Sequence, residues 1–302
     1  MPSTLDPRRT DGALPAIISV RTAGPLVVAA LLGAVLVGAG ASTGAGGARA
    51  AGVALLAWST VLLAQLCGPL LREASKQAAG RWRAVLFNLP FALFFLPALV
   101  WALVTRPAFD GPVAGAGLGG AGLGGAGLGG AAAGSAARLA VGLVAGVLFG
   151  LAMQATAWKQ WRLGFDRDLL ELLPPVSPAL LITQGWMLAG SAVFQELFYR
   201  GALVTILSGW SPPVIVAAGT LAFVLEHTSN RWSTRANTGR YYLRLTILSV
   251  GLGFLAVEVS LAAALAAHLA FNAVPAANLL MRWRSRPARS RPAPQPSPAA
   301  SV

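Results

Sequence analysis

The sequence predicts an all-α, polytopic integral membrane bundle of about eight transmembrane helices, with the N- and C-termini cytoplasmic. Three observations predict it. Hydrophobic residues make up 56% of the 302 and charged residues only 11%, at a mean hydropathy of +0.66, a balance foreign to soluble domains. Apolar runs long enough to cross a hydrocarbon layer of ~30 Å recur along the chain. The basic residues gather in alternate loops, which is the asymmetry that orients membrane helices.

The runs lie near 25–42, 51–71, 84–105, 139–158, 179–207, 212–230, 241–257 and 259–281. The last two share one apolar stretch broken only by Glu258, read here as an external turn, so seven spans is the competing count. With a cytoplasmic N-terminus, nineteen of the 23 Lys and Arg residues fall inside, Arg49, Arg106 and Arg138 fall outside, and Arg200 lies within a span. This arrangement explains the +13 net charge without nucleic acid, because arginines dispersed among loops make no basic face.

Taken in order, residues 1–24 form a polar, flexible leader. The apolar run behind it and Ala48-Arg49-Ala50 mimic a secretory signal, but the leader and the run are both too long, which favours a retained first helix. Residues 25–158 form an N-terminal four-helix membrane region. Within it, 111–135 is a Gly-rich linker carrying Gly-Leu-Gly-Gly-Ala three times. Glycine loses most backbone entropy on ordering, and this segment has little side chain to bury. It lacks the lysine of a phosphate loop. Gly142, Gly146 and Gly150 recur every fourth residue and prepare one helix face for close approach, chiefly within the chain. Cys67 stands alone in a span and offers no disulfide. Trp82, Trp101, Trp158, Trp161, Trp210, Trp232 and Trp283 fall near helix ends, the position of an interfacial belt. Residues 159–178, with Pro174-Pro175, separate this half from a functional region at 178–282, and 283–302 is a disordered, basic, Pro-rich tail.

The chemistry concentrates in that second half. The chain has two histidines, and both lie inside apolar runs, at Phe223-Val224-Leu225-Glu226-His227 and at His268-Leu269-Ala270-Phe271-Asn272. A third run holds Gln195-Glu196-Leu197-Phe198-Tyr199-Arg200. Ionisable groups are costly in hydrocarbon, so their presence marks function. Glu196 and Arg200 share a helix face at four-residue spacing, as do His268 and Asn272. Counted from the outer ends of their helices, these groups all lie about 14–21 Å deep. Such a cluster can bind Zn²⁺ or another divalent metal through His227, His268 and Asn272, or polarise water. Glutamate serves as general base, and histidine with asparagine stabilises an oxyanion. A transporter with a Glu–His proton relay would instead show repeated halves, and the first four spans contain no counterpart.

At these residues the chain resembles the CPBP family of intramembrane metalloproteases, which takes in CAAX prenyl protease 2-like, CAAX-processing and bacteriocin-processing proteins. The family's Glu-Glu-x-x-x-Arg, Phe-x-x-x-His and His-x-x-x-Asn pattern meets Glu196 and Arg200, Phe223 and His227, and His268 and Asn272. The resemblance implies an intramembrane endopeptidase acting on a membrane-associated, prenylated or leader-peptide substrate, in the plasma membrane. One position departs: where the family has the first glutamate, its usual water activator, this chain has Gln195. A glutamine amide cannot take a proton. Either Glu196 acts as base, or Glu226 substitutes from the next helix, or the protein is a pseudoprotease acting as a membrane binding or immunity protein.

Overall fold

The computed structural model describes residues 20–79, 81–107, 128–163, 178–229 and 239–284, with single positions in the connections. Residues 1–19 of the leader, residues 111–127 of the linker, Pro174-Pro175 and the tail from 285 lie outside the described residues. The described residues are helical almost throughout. In order they form α1 (Val20–Thr43), α2 (Gly46–Gln77), α3 (Arg81–Thr105), α4 (Leu128–Ala155), the short α5 (Trp158–Leu163), α6 (Pro178–Gln195), α7 (Pro212–Ser229), α8 (Gly239–Phe254) and α9 (Leu261–Arg284). Helix α6 runs on through a π-helical stretch, Glu196–Ala202, and a last α turn, Leu203–Ile206, while α8 ends in a second π stretch, Leu255–Val259.

The eight long helices among the described residues fall on the eight apolar runs. The first half of α4 departs from expectation, starting at Leu128 inside the segment read as a linker. Gly24–Thr43, Gly46–Gln65, Gly239–Val259 and Leu261–Arg284 are long and apolar enough to cross a membrane, and α3, α4 and α7 carry shorter apolar stretches. Val35, Leu103, Val104, Ile182, Trp186 and Leu221 point outwards and are exposed. In water such a surface would aggregate, whereas in lipid it is the solvated face. The protein is a multi-pass helical membrane protein.

Local chemistry sets the joints. Helix α1 stops at Gly44, whose φ of +71° is the left-handed turn that glycine adopts without strain. Pro212 and Pro213 open α7, where a missing N–H costs nothing, and the Ser211 carbonyl accepts from Val214 and Ile215. The apolar run across 241–281 divides at Ser260, which is extended (φ −171°, ψ 157°) and whose hydroxyl accepts from the Ala263 N–H at 3.1 Å. Among the described residues eight long helices result rather than seven, and Glu258 lies exposed beside that break.

Helix α9 lies between α4 and α6 and also touches α8. A Cβ at Gly146 would collide with the Ala263 carbonyl, and one at Gly150 with the Ala267 carbonyl, so the glycine ladder of α4 is used within the chain. Trp101 departs from the interfacial belt. Its Nε1 donates to Thr60 Oγ1 on α2 at 3.1 Å, and it packs on a core of Ala57, Val61, Phe95, Phe198, Tyr199 and Phe223.

Gly146→Ala should destabilise the bundle by about 1–3 kcal/mol, because backbone cannot yield to the added methyl. Gly38→Ala, where a Cβ meets nothing within 4 Å, should be neutral or slightly stabilising. Thermal unfolding of the two variants in detergent measures the contrast.

Candidate active site

Arg200, His227 and His268 meet around the Phe223 ring. Arg200 is the largest fully buried side chain, only 1% exposed. Its Nη1 donates to Glu196 Oε1 at 3.3 Å, the four-residue pair expected from spacing. Its Nη2 donates to the carbonyl and the hydroxyl of Ser249 on α8, and its guanidinium stands 4.6 Å from the Phe223 ring centroid. A buried cation needs all of this: a counter-charge, acceptors for its fork of donors, and an aromatic face.

The same Glu196 oxygen receives His268 Nδ1 at 2.7 Å. A carboxylate oxygen that accepts from arginine is not a donor, so the imidazole proton sits on Nδ1 and Nε2 keeps its lone pair. Glu196 Oε2 is buried with no hydrogen-bond partner among the described residues, an acceptor open to water or a substrate amide. His227 Nδ1 lies 2.8 Å from the Phe223 carbonyl, which can only accept. That ring therefore also leaves Nε2 as a base. Both imidazoles pack on the Phe223 ring, at centroid distances of 4.4 Å for His227 and 6.1 Å for His268.

The second carboxylate, Glu226 of α7, is 1% exposed. Its Oε1 accepts from Gln195 Nε2 at 2.9 Å and from Gln65 Nε2 of α2 at 2.8 Å. The π-helical stretch after Gln195 lets the helix widen so that neighbouring residues serve different partners, Gln195 facing α7 and Glu196 facing α9. Tyr199, on the same stretch, packs edge-on to Phe223 at 5.7 Å.

Asn272 goes elsewhere. Its amide donates to the Leu188 carbonyl of α6 at 2.9 Å, two turns from Glu196, and ties the antiparallel helices α6 and α9 together. That hydrogen bond engages the NH₂ group and leaves the amide oxygen as the only ligand atom of Asn272. Among the described residues no three His, Cys, Asp or Glu side chains form a group that could hold a metal ion. Two imidazoles and one amide oxygen are a poorer donor set than the histidine and carboxylate ligands of catalytic zinc centres, so no step below is routed through a metal. Ser249 and Gln65 were not read from the sequence. Gln65 had a visible signal, as an amide in the middle of an apolar run; a single serine in α8 had none.

Residues 176–274 match a family model described as type II CAAX prenyl endopeptidase Rce1-like. This segment of the chain is similar to that family. It contains Gln195, Glu196, Arg200, Ser249 and both histidines, while Gln65 lies outside it. No curated protein and no solved structure matches the chain. The matched segment carries one carboxylate–imidazole–guanidinium group and a second carboxylate that takes Gln195.

Arg200→Met should cost about 3–5 kcal/mol, because it strands the Glu196 carboxylate in a buried site. Adding Glu196→Gln to it should recover part of that loss. Unfolding of the two single variants and the double in detergent checks the sign of the coupling.

Proposed function

We propose that the protein is an intramembrane endopeptidase of the plasma membrane, hydrolysing a peptide bond of a membrane-associated substrate. A prenylated C-terminal peptide is the first substrate class to try, given the description of the matched family, and a leader peptide the second. The observation that carries this reading is the 2.7 Å contact of His268 with Glu196, buried and backed by Arg200, inside a segment that matches an endopeptidase family. A carboxylate that pins one ring nitrogen leaves the other ready for proton chemistry.

The two glutamates divide the work. Glu196 shares one oxygen between a cation and an imidazole, and its charge is largely satisfied there. Glu226 Oε1 receives two neutral amide donors, which orient the carboxyl group. Glu226 is therefore the general base, as Gln195 cannot be. Water gives a proton to Glu226 and its oxygen attacks the carbonyl carbon. His227 Nε2 orients that water. His268, its Nδ1–H held by Glu196, donates to the developing oxyanion once its Nε2 has taken up a proton from water. The C–N bond then breaks as Glu226 passes its proton to the leaving amine, giving a free carboxylate and a free amine.

Gln195 favours a second reading, a non-catalytic binding or immunity protein on the same fold. Proteoliposomes loaded with a prenylated peptide or a leader peptide decide between them. Release of a C-terminal fragment that is lost in His268→Ala supports the protease, and binding of peptide with no cleavage supports the binder.

Two further outcomes are expected. Glu226→Gln should lower kcat by about 10²–10⁴-fold, the usual contribution of a general base. Adding Gln195→Glu, which returns a carboxylate to the facing helix, should restore part of it. Dialysis against EDTA should leave cleavage unchanged; loss of activity that returns with zinc would overturn the metal-free route.

A further inference from the structure

We propose that Gln65, on α2 and outside the family-matched segment, is a positioning residue of the active site. The proposal rests on the reading of Glu226 as general base. Gln65 lies 161 residues from Glu226 along the chain, yet its Nε2 sits 2.8 Å from Glu226 Oε1, the oxygen that also takes Gln195 Nε2 at 2.9 Å. Two N–H donors converging from different helices on one oxygen fix the rotation of the carboxyl group. The direction of the other oxygen, Oε2, is then set as well.

The helix that brings Gln65 is rigid. Ala57 and Val61, two turns and one turn before it, are fully buried against the cluster containing Phe198, Tyr199 and Phe223. Thr60 Oγ1 accepts from Trp101, which locks α2 to α3 at the same level. A donor mounted on such an element keeps its place to within the tolerance that catalysis requires.

The residue type fits the task. An arginine or lysine at position 65 would neutralise the base, and a glutamate would repel it. Alanine would leave the carboxyl group free to turn. A neutral NH₂ on a side chain two methylenes long reaches and orients without changing the charge. The same holds for Gln195, so the departure from the family pattern and the amide on α2 form one arrangement around a carboxylate displaced from α6 to α7. The N-terminal helices then contribute to the site rather than merely supporting it.

The test compares full-length wild type, Gln65→Ala, Gln65→Asn and Gln65→Glu in proteoliposomes carrying the prenylated peptide. Gln65→Ala should lower kcat about 10- to 100-fold with KM within about twofold of wild type, the signature of a misplaced catalytic group. Gln65→Asn should fall between the two, and Gln65→Glu should be at least as impaired as alanine. Infrared spectroscopy supplies a readout independent of turnover. The Glu226 carboxylate band, identified by its loss in Glu226→Gln, should shift in Gln65→Ala. An unshifted band overturns the clamp, and a shifted band with unchanged kcat overturns its catalytic role. Should wild type cleave nothing, the protease reading falls and takes the catalytic role with it, while the band still decides the contact.

Discussion

The charge of Arg200 is the constraint around which the rest is arranged. A guanidinium in the middle of a lipid-embedded bundle cannot be neutralised by losing its proton, and it cannot reach water. It must be met by acceptors, and they come from three directions. Glu196 supplies the counter-charge from its own helix, Ser249 supplies two oxygens from α8, and Phe223 supplies a ring face from α7. Once Glu196 is fixed in this way, its shared oxygen fixes His268 on α9. One unavoidable electrostatic debt thereby sets the relative positions of four helices. The same grouping that makes Arg200 tolerable makes the imidazole usable.

Much of this was legible because lipid imposes simple rules. Apolar runs became helices at nearly the expected boundaries, since hydrocarbon leaves the backbone no other way to satisfy its polar groups. The glycines of α4 announced a close contact, and the Ala263 and Ala267 carbonyls are what they meet. The pairing of Glu196 with Arg200 followed from four-residue spacing, which survives the π-helical stretch. The meeting of both histidine motifs with the Glu196–Arg200 pair was in line with their positions along the helices, while Asn272 turned to Leu188 instead.

Other features escaped for physical reasons. The π stretch at Glu196–Ala202 depends on one hydrogen-bond register shifting by a residue, and no residue type announces that. Asn272 carries the same amide whether it faces an imidazole or a carbonyl of the next helix. Its partner, Leu188, takes part through its backbone alone, so its side chain leaves no trace of the contact. Gln65 was a lone polar residue in an apolar run, a sign of some contact but not of which one. Its partner lies on a helix far along the chain. Spacing within one helix is readable; pairing between helices needs the packing.

The seam between α4 and α9 also limits how a substrate can arrive. There the backbones touch so closely that even a methyl group has no room, and α9 carries the histidine joined to Glu196. A polypeptide drifting sideways through the bilayer cannot part those two helices without unzipping the element that holds the reacting imidazole. That flank of the bundle is a closed wall.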